Sequence, residues 1–115
     1  MSPLSAGGGG PALARAAPVF WALGDPTRLG LMARLSAEGP LSIARLTEGF
    51  GVTRQAITKQ LAVLAGAGLV SDERRGRERV WSLEPGSVAE ARRCLDEIAG
   101  QWEGALERMR KYLED

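Results

Sequence analysis

The 115-residue sequence contains no histidine and a single cysteine, Cys94. Histidine is the commonest general base and the commonest transition-metal ligand, so its absence argues against zinc, copper and most acid–base chemistry. No nucleophile stands beside a base and no nucleotide-binding motif is present, so we expect neither an enzyme nor a bound cofactor. One cysteine cannot form an internal disulfide, which fits a reducing compartment.

Long apolar runs are also missing. No run approaches the ~18 residues of a membrane span, and the N-terminal segment lacks the charged end and continuous apolar stretch of a signal peptide. We therefore expect a cytoplasmic protein with no membrane partner. Four consecutive glycines at positions 7–10 predict a flexible tail over residues 1–14. Residues 15–115 have the length of one small domain.

Net charge is small, +1 at pH 7, but the charges are unevenly distributed. Residues 41–80 hold seven basic and four acidic side chains, whereas residues 81–115 hold five basic and eight acidic ones. A basic middle beside an acidic end is typical of a nucleic-acid-binding surface on a nearly neutral domain. The excess is modest, so on its own it only suggests such a partner.

Apolar spacing and capping residues predict helices in the N-terminal part of the domain. Residues 17–24 have the composition of a short apolar helix. Asp25 and Pro26 are typical of a second helix start, since a carboxylate caps the first turn and proline occupies the first helical position. That helix is predicted to end near Ala37. Its predicted buried side chains are Leu29, Met32, Ala33 and Leu35.

A helix-turn-helix motif is predicted next. Ser42 is the expected cap of a third helix over residues 43–50, and a tight turn follows at residues 51–52. Thr53 is the expected cap of a fourth helix that ends near Ala65. Two short helices joined by a turn of a few residues have helix-turn-helix geometry.

The fourth helix has two distinct faces. At ~100° per residue, Ile57, Leu61 and Leu64 fall on one narrow arc. The opposite arc carries hydrogen-bonding, cationic and small side chains: Gln55, Thr58, Lys59 and Ala62, with Arg54 at its edge. Such side chains read base edges, since Gln pairs with adenine, Arg or Lys with guanine, and Thr contacts the thymine methyl. Taken alone, an ordinary amphipathic helix with a solvated face explains the pattern equally well.

Residues 69–83 predict a β-hairpin that turns at Gly76. Four arginines surround the turn: Arg74, Arg75, Arg77 and Arg79. As a wing beside the fourth helix they would contact phosphates or enter a minor groove. A mixed-charge exposed turn is the alternative, since three acidic residues lie among them. The order of turn, helix and basic hairpin along the chain favours DNA binding.

Residues 87–113 predict a last helix whose apolar positions alternate in steps of three and four. These positions are Val88, Ala91, Leu95, Ile98, Trp102, Ala105, Met109 and either Tyr112 or Leu113. That spacing is typical of a coiled-coil seam. The predicted fold class is therefore mainly α with a small β-hairpin: a winged helix-turn-helix of about five helices and a two-stranded wing.

Over about residues 17–113 the chain resembles the ArsR/SmtB-type winged-helix repressors of bacteria. The resemblance rests on Asp-Pro-Thr-Arg at residues 25–28, the turn and helix at 51–64, Ala-Gly-Leu-Val at 67–70 and the glycine-tipped wing. It implies a homodimer, joined through its first and last helices, that binds double-stranded DNA at a palindromic operator and represses transcription.

The resemblance also implies roles for individual residues. It assigns base reading to Thr53, Arg54, Gln55, Thr58, Lys59 and Gln60. It assigns contacts with the DNA backbone to the four wing arginines. The candidate dimer contacts are Phe20, Trp21, Leu95, Ile98, Trp102 and Met109.

Two departures from the family argue against metal sensing. Metal-sensing members carry a cysteine cluster on the third helix, where residues 41–46 of this chain have none, and others use histidine on the last helix. We therefore expect no metal site, and an unidentified small-molecule effector stays open. Two alternatives also remain: a winged-helix protein-interaction module, and a thiol-responsive repressor that uses Cys94. A buried, inert thiol is the favoured explanation of Cys94.

Overall fold

Residues 10–114 are described in the computed structural model of the chain. They form five helices and three strands in the order α1 Gly10–Leu23, α2 Pro26–Glu38, β1 Leu41–Ser42, α3 Ile43–Thr47, α4 Arg54–Gly66, β2 Val70–Arg75, β3 Glu78–Leu83 and α5 Pro85–Glu114. The strands form one antiparallel sheet in the order β1-β3-β2. The predicted fold, mainly α with a wing formed by a hairpin, is confirmed.

Strand β1 is an addition to the predicted two-stranded wing. Leu41 pairs with Trp81 and Ser42 pairs with Val80, so β1 extends the hairpin to a three-stranded sheet. A strand of two residues is too short to show an alternating apolar pattern, which is why the sequence did not predict it.

Helix α1 begins at Gly10, inside the segment predicted as a tail over residues 1–14. The alanine-rich sequence after Pro11 favours helix formation, and proline is tolerated in a first helical turn. These preferences explain why α1 starts before residue 15. Residues 1–9 lie outside the described residues.

Helix α2 starts where it was predicted, and its predicted buried face is right for Leu35 and, in part, for Met32, which packs partly buried against the core. Asp25 Oδ2 accepts hydrogen bonds from the backbone N–H groups of Thr27 and Arg28, at 3.0 and 3.1 Å. Leu31 and Leu35 are the buried residues, whereas Leu29 is 51% exposed. The prediction that Leu29 and Ala33 are buried is therefore wrong, because this helix offers two apolar arcs and the sequence does not distinguish them.

The core lies between α2, α3, α4 and the inner face of the sheet. Its largest fully buried side chains are Leu31, Leu35, Leu46, Ile57, Leu61, Leu64 and Leu69. The core also includes Val70 and Trp81 from the sheet, and Val19 and Ala22 from α1. This shared core fixes α4 and the wing relative to each other.

Helix α5 follows the wing and is 30 residues long. Ala91 and Cys94 are its buried residues, and both lie in the N-terminal third of the helix. At ~1.5 Å per residue the helix is ~45 Å long, so most of it extends past the core. Within residues 10–114, no helix has the length and apolarity to cross a membrane.

Candidate DNA interface

The turn between α3 and α4 is held in place by Arg34 from α2. Its Nη1 donates to the carbonyl oxygens of Arg45 and Leu46, each at 3.2 Å, and to that of Glu48. Its guanidinium also lies over the Phe50 ring, 4.8 Å from the ring centroid. Carbonyl groups at the end of a helix lack intrahelical partners, so this arginine satisfies the end of α3 and fixes the turn.

Glycines allow the chain to reverse within this turn. Gly49 and Gly51 adopt φ values of 85° and 70°, a region that side chains with a Cβ disfavour. The predicted cap then begins α4, since Thr53 Oγ1 accepts a hydrogen bond from the backbone N–H of Ala56 at 3.0 Å. The start of α4 is therefore defined by backbone geometry and by a side-chain cap.

The inner face of α4 is the one that the helical wheel predicted. Ile57, Leu61 and Leu64 are each 0% exposed. They belong to the same core cluster as Leu46 of α3, so the two helices of the motif are packed together. The core consequently determines which face of α4 is buried and which is exposed.

The outer face of α4 presents five of the six predicted reading residues to solvent: Thr53, Arg54, Gln55, Thr58 and Lys59. Two of them also have local roles, because Thr53 is the cap and Thr58 Oγ1 donates to the carbonyl oxygen of Arg54 at 2.8 Å. Arg54, Gln55 and Lys59 form no hydrogen bond or ion pair through their side chains with the described residues. Their polar groups are thus free to contact a ligand.

Gln60 is placed differently from the other five. It is only partly exposed, and its Oε1 accepts a hydrogen bond from Arg28 Nη1 at 2.8 Å. The structure therefore directs this side chain towards α2 and separates it from the exposed arc of Gln55 and Lys59.

Of the four predicted wing arginines, two form ion pairs with carboxylates in the wing and two do not. Arg75 Nε lies 2.6 Å from Glu73 Oε1, and Arg79 Nε lies 2.6 Å from Asp72 Oδ2. Arg74 and Arg77 are exposed and form no ion pair with any residue from 10 to 114. Gly76, at φ 63°, makes the turn between the strands. Arg74 and Arg77 are therefore the two wing arginines without a carboxylate partner among the described residues.

The predicted dimer residues lie on α1 and α5. Trp21 on α1 is 68% exposed, whereas Phe20 is partly buried against the core. The remaining four are all about half exposed or more on α5: Leu95, Ile98, Trp102 and Met109. The two helices pack against each other, and Arg15 Nε lies 2.7 Å from Glu90 Oε1.

Charge pairs stabilise the C-terminal part of α5. The Glu107 carboxylate, with a further contribution from Glu114, raises the pKa of the Arg110 guanidinium above its ordinary value. The three side chains are joined by contacts of 2.6 and 2.9 Å on the helix surface.

Cys94 is buried, at 6% exposure, and lines a shallow pocket of about 210 Å³ between α1 and α5. The other lining residues are Arg15, Glu90, Arg93 and Glu97. Among the described residues, no group of three or more His, Cys, Asp or Glu is arranged to hold a metal ion.

Known proteins with similar sequences also contain a helix-turn-helix domain. A family model described as a helix-turn-helix domain matches residues 23–73. The chain is 40% identical over 85 residues to the HTH-type transcriptional regulator Rv2034 of Mycobacterium tuberculosis, an alignment that covers 74% of this chain and 76% of that protein. It is 33% identical over 79 residues to the arsenical resistance operon repressor of Escherichia coli, covering 69% and 68% of the two chains.

A solved structure agrees with these relatives. The ArsR-like transcriptional regulator from Rhodococcus sp. RHA1 superposes with a TM-score of 0.70 at 32% identity, over 85% of this chain and 92% of that one. The fold and the helix-turn-helix thus define a winged-helix transcriptional regulator, a class without enzymatic activity. More narrowly, this chain belongs to the ArsR family, which confirms the resemblance found in the sequence.

Proposed function

We propose that this regulator is a homodimeric repressor that reads a palindromic operator with α4 and its basic wing, and that it does so without sensing a metal. The observation that carries the proposal is the division of α4 into two faces. The inner face is completely buried, and the outer face presents Arg54, Gln55 and Lys59 with unoccupied polar groups.

The positions of these side chains suit base reading. They lie in the first two turns of α4, and recognition helices meet base edges with their N-terminal turns. The Gln55 carboxamide can pair with adenine, and the Arg54 and Lys59 cations with guanine. Ala62 is exposed and small, so the next turn of α4 allows close approach to the groove.

The wing would contribute affinity without sequence information. Arg74 and Arg77 form no ion pair with the described residues, so we assign them the contacts with phosphate oxygens. Asp72 and Glu73 hold Arg79 and Arg75, which limits non-specific attraction to the DNA backbone.

The exposed apolar side chains of α5 support a dimer formed by a second copy. Trp102 and Met109 are 66% and 59% exposed, and an apolar patch of this kind on a water-soluble domain is typical of a protein–protein surface. A two-fold dimer would place two α4 helices about one duplex turn apart, ~34 Å, so the operator would be palindromic.

The side-chain chemistry supports operation without a metal. The chain has no histidine and one cysteine, so an imidazole- or thiolate-rich ligand set is not available within it. The position equivalent to the family's cysteine cluster, residues 41–46, carries no thiol.

The first experiment selects DNA bound by the wild-type protein from a randomised pool and measures its selectivity for the enriched operator over scrambled DNA. The double variant Gln55→Ala/Thr58→Ala removes neutral hydrogen-bonding groups only. We expect it to lose about 10-fold or more of the selectivity with an unchanged salt dependence, since one good base contact contributes ~1–3 kcal/mol.

Ser36→Ala is the control, because Ser36 is an exposed hydroxyl on α2 outside the reading face. Wild-type selectivity in the Gln55/Thr58 variant would show that the reading face is wrongly assigned. Failure of the wild-type protein to enrich any sequence would favour a protein-interaction module.

A further inference from the structure

Arg28 joins three helices through one side chain. It lies in the first turn of α2, and its Nε donates to the carbonyl oxygen of Ala22 at the end of α1, at 2.5 Å. Its Nη1 donates to Gln60 Oε1 on α4 at 2.8 Å. The guanidinium also lies over the Trp21 ring of α1, 5.3 Å from the ring centroid and within the range of a cation–π interaction. Besides the shared core, this one side chain therefore connects the reading helix α4 to α1 through polar contacts.

Helix stability does not explain an arginine at this position. A cation in the first turn of a helix is opposed by the partial positive charge of the helix N-terminus. The start of α2 is already capped by Asp25, whose Oδ2 accepts from the backbone N–H groups there. Arg28 therefore contributes through the groups that its side chain contacts outside α2.

The contact with Gln60 acts on the orientation of α4. Gln60 directly follows Lys59, whose side chain is on the exposed reading arc. A charge-assisted hydrogen bond to the Gln60 carboxamide resists rotation and sliding of α4, so it holds Gln55 and Lys59 at a defined height relative to α1. Because a displacement of about 1 Å is enough to break a bidentate base contact, such a restraint affects selectivity more than total affinity.

We propose that Arg28 is a positioning residue for base reading, which acts through Gln60 to hold α4 in register with α1. In this assignment Gln60 does not read a base itself. The inference rests on the proposed function, since it concerns the selectivity of the same DNA-binding surface. It adds to that function a mechanical link between the reading helix and the α1 surface that includes Trp21.

A double-mutant cycle tests the link. Operator and scrambled-DNA affinities are measured for the wild type, Arg28→Lys, Gln60→Ala and the double variant, with circular dichroism confirming that each protein is folded. We expect each single variant to lower the operator selectivity by about 10-fold and the double variant to lower it by no more than either one, since contacting residues are energetically coupled. Affinity for scrambled DNA should change by less than about 2-fold, because phosphate contacts dominate it.

Two further variants separate positioning from general stability. Gln60→Glu keeps an acceptor for the Arg28 guanidinium, so it should retain the ratio of operator to scrambled affinity even where its negative charge weakens both. Arg15→Lys is the matched control, since Arg15 joins α1 to α5 through Glu90 and has no side-chain bond to α4. It should leave the selectivity unchanged and alter the melting temperature little, because the Arg15–Glu90 pair is largely exposed and lysine keeps the positive charge.

Multiplicative losses in the double variant, or single variants with wild-type selectivity, would overturn the role of Arg28 while leaving the proposed function intact. Absence of operator selectivity in the wild-type protein would overturn both.

Discussion

Helices α4 and α5 are both amphipathic, but the described chain covers the apolar face of α4 and leaves most of that of α5 open. Every large apolar residue of the inner arc of α4, namely Ile57, Leu61 and Leu64, is 0% exposed. On α5 the large apolar side chains that are exposed are Val88, Leu95, Ile98, Trp102, Leu106, Met109, Tyr112 and Leu113.

This difference separates two tasks. The inner face of α4 is complete within one chain, so its outer face is presented on a rigid support before any ligand arrives. Helix α1 and the core cover only the N-terminal part of the apolar face of α5, and burying the rest requires a surface from outside residues 10–114. Substitutions on α4 should therefore change folding or DNA binding, whereas substitutions on α5 should change association.

The largest effect is expected for Leu61→Ala, which removes a fully buried side chain from the inner face of α4. We expect it to lower the free energy of unfolding by about 2–5 kcal/mol, measured by urea denaturation at a fixed protein concentration. Leu113→Ala is the matched change on α5, where the side chain is 76% exposed in the single chain, and should cost the monomer less than about 0.5 kcal/mol when unfolding is measured at a concentration low enough to prevent association. Equal losses at the two positions would contradict the contrast between the helices.

The contrast itself could be predicted only in part from the sequence. The wheel identified the buried face of α4 because three bulky residues fall on one arc and polar residues fall opposite. For α2 the prediction is right for Leu35 but wrong for Leu29 and Ala33, since Leu29 and Leu31 are equally apolar and only tertiary packing selects Leu31. The alternating seam of α5 was recognised, but the sequence does not reveal which of its residues the chain covers.

Gln60 shows how the site could have been predicted more closely. Family resemblance grouped it with the reading residues, although at ~100° per residue it lies only about 60° from Ile57 and about 40° from Leu64. That angle places it at the border of the buried arc, where the structure has it. Its bond to Arg28 spans 32 residues, and no local pattern in the sequence predicts such a contact.

The wing gives a related lesson. Its four arginines were identified from composition, but the ion pairs of Arg75 and Arg79 depend on side-chain geometry in the hairpin. In the strand register Arg74 lies opposite Arg79, and Asp72 lies opposite Trp81. The charge that is free to meet DNA is therefore smaller than the count of arginines indicates.

A second, smaller effect is expected for Trp102→Ala on α5. If a second copy covers this face, truncating a 66% exposed tryptophan should weaken the dimer by about 2 kcal/mol, a roughly 30-fold rise in its Kd. Analytical ultracentrifugation over a range of concentrations measures the change. The fold of the monomer should be unaffected, as judged by circular dichroism.

Glu103→Ala, an exposed substitution next to Trp102 in the sequence, is the control and should leave the Kd of the dimer nearly unchanged. A wild-type protein that stays monomeric at micromolar concentrations would show that a second copy does not cover the apolar face of α5. A Trp102 variant with wild-type association would show that the dimer does not use Trp102.

The smallest effect is expected when the only two lysines of the sequence are replaced with alanine in turn. Lys59 lies on α4 and Lys111 lies on α5. Both are exposed, and replacing either with alanine changes the net charge by the same amount. Lys59→Ala should lower operator affinity by about 1.5 kcal/mol, since one charged hydrogen bond to DNA is lost. Lys111→Ala should leave affinity within about 2-fold of the wild type. A loss that depended only on net charge would be equal in the two variants, so their difference measures what the position of Lys59 contributes.

Salt titration then distinguishes the kind of contact that Lys59 makes. If its ammonium contacts a base edge, as proposed, the slope of log K against log[salt] stays near that of the wild type and selectivity at one operator position falls. If it contacts a phosphate, the slope becomes shallower by about 0.9 and the loss is the same for all sequences. The second outcome would keep α4 at the DNA but move Lys59 from base reading to backbone contact, leaving Gln55 and Arg54 as the readers on a helix whose inner face is already complete.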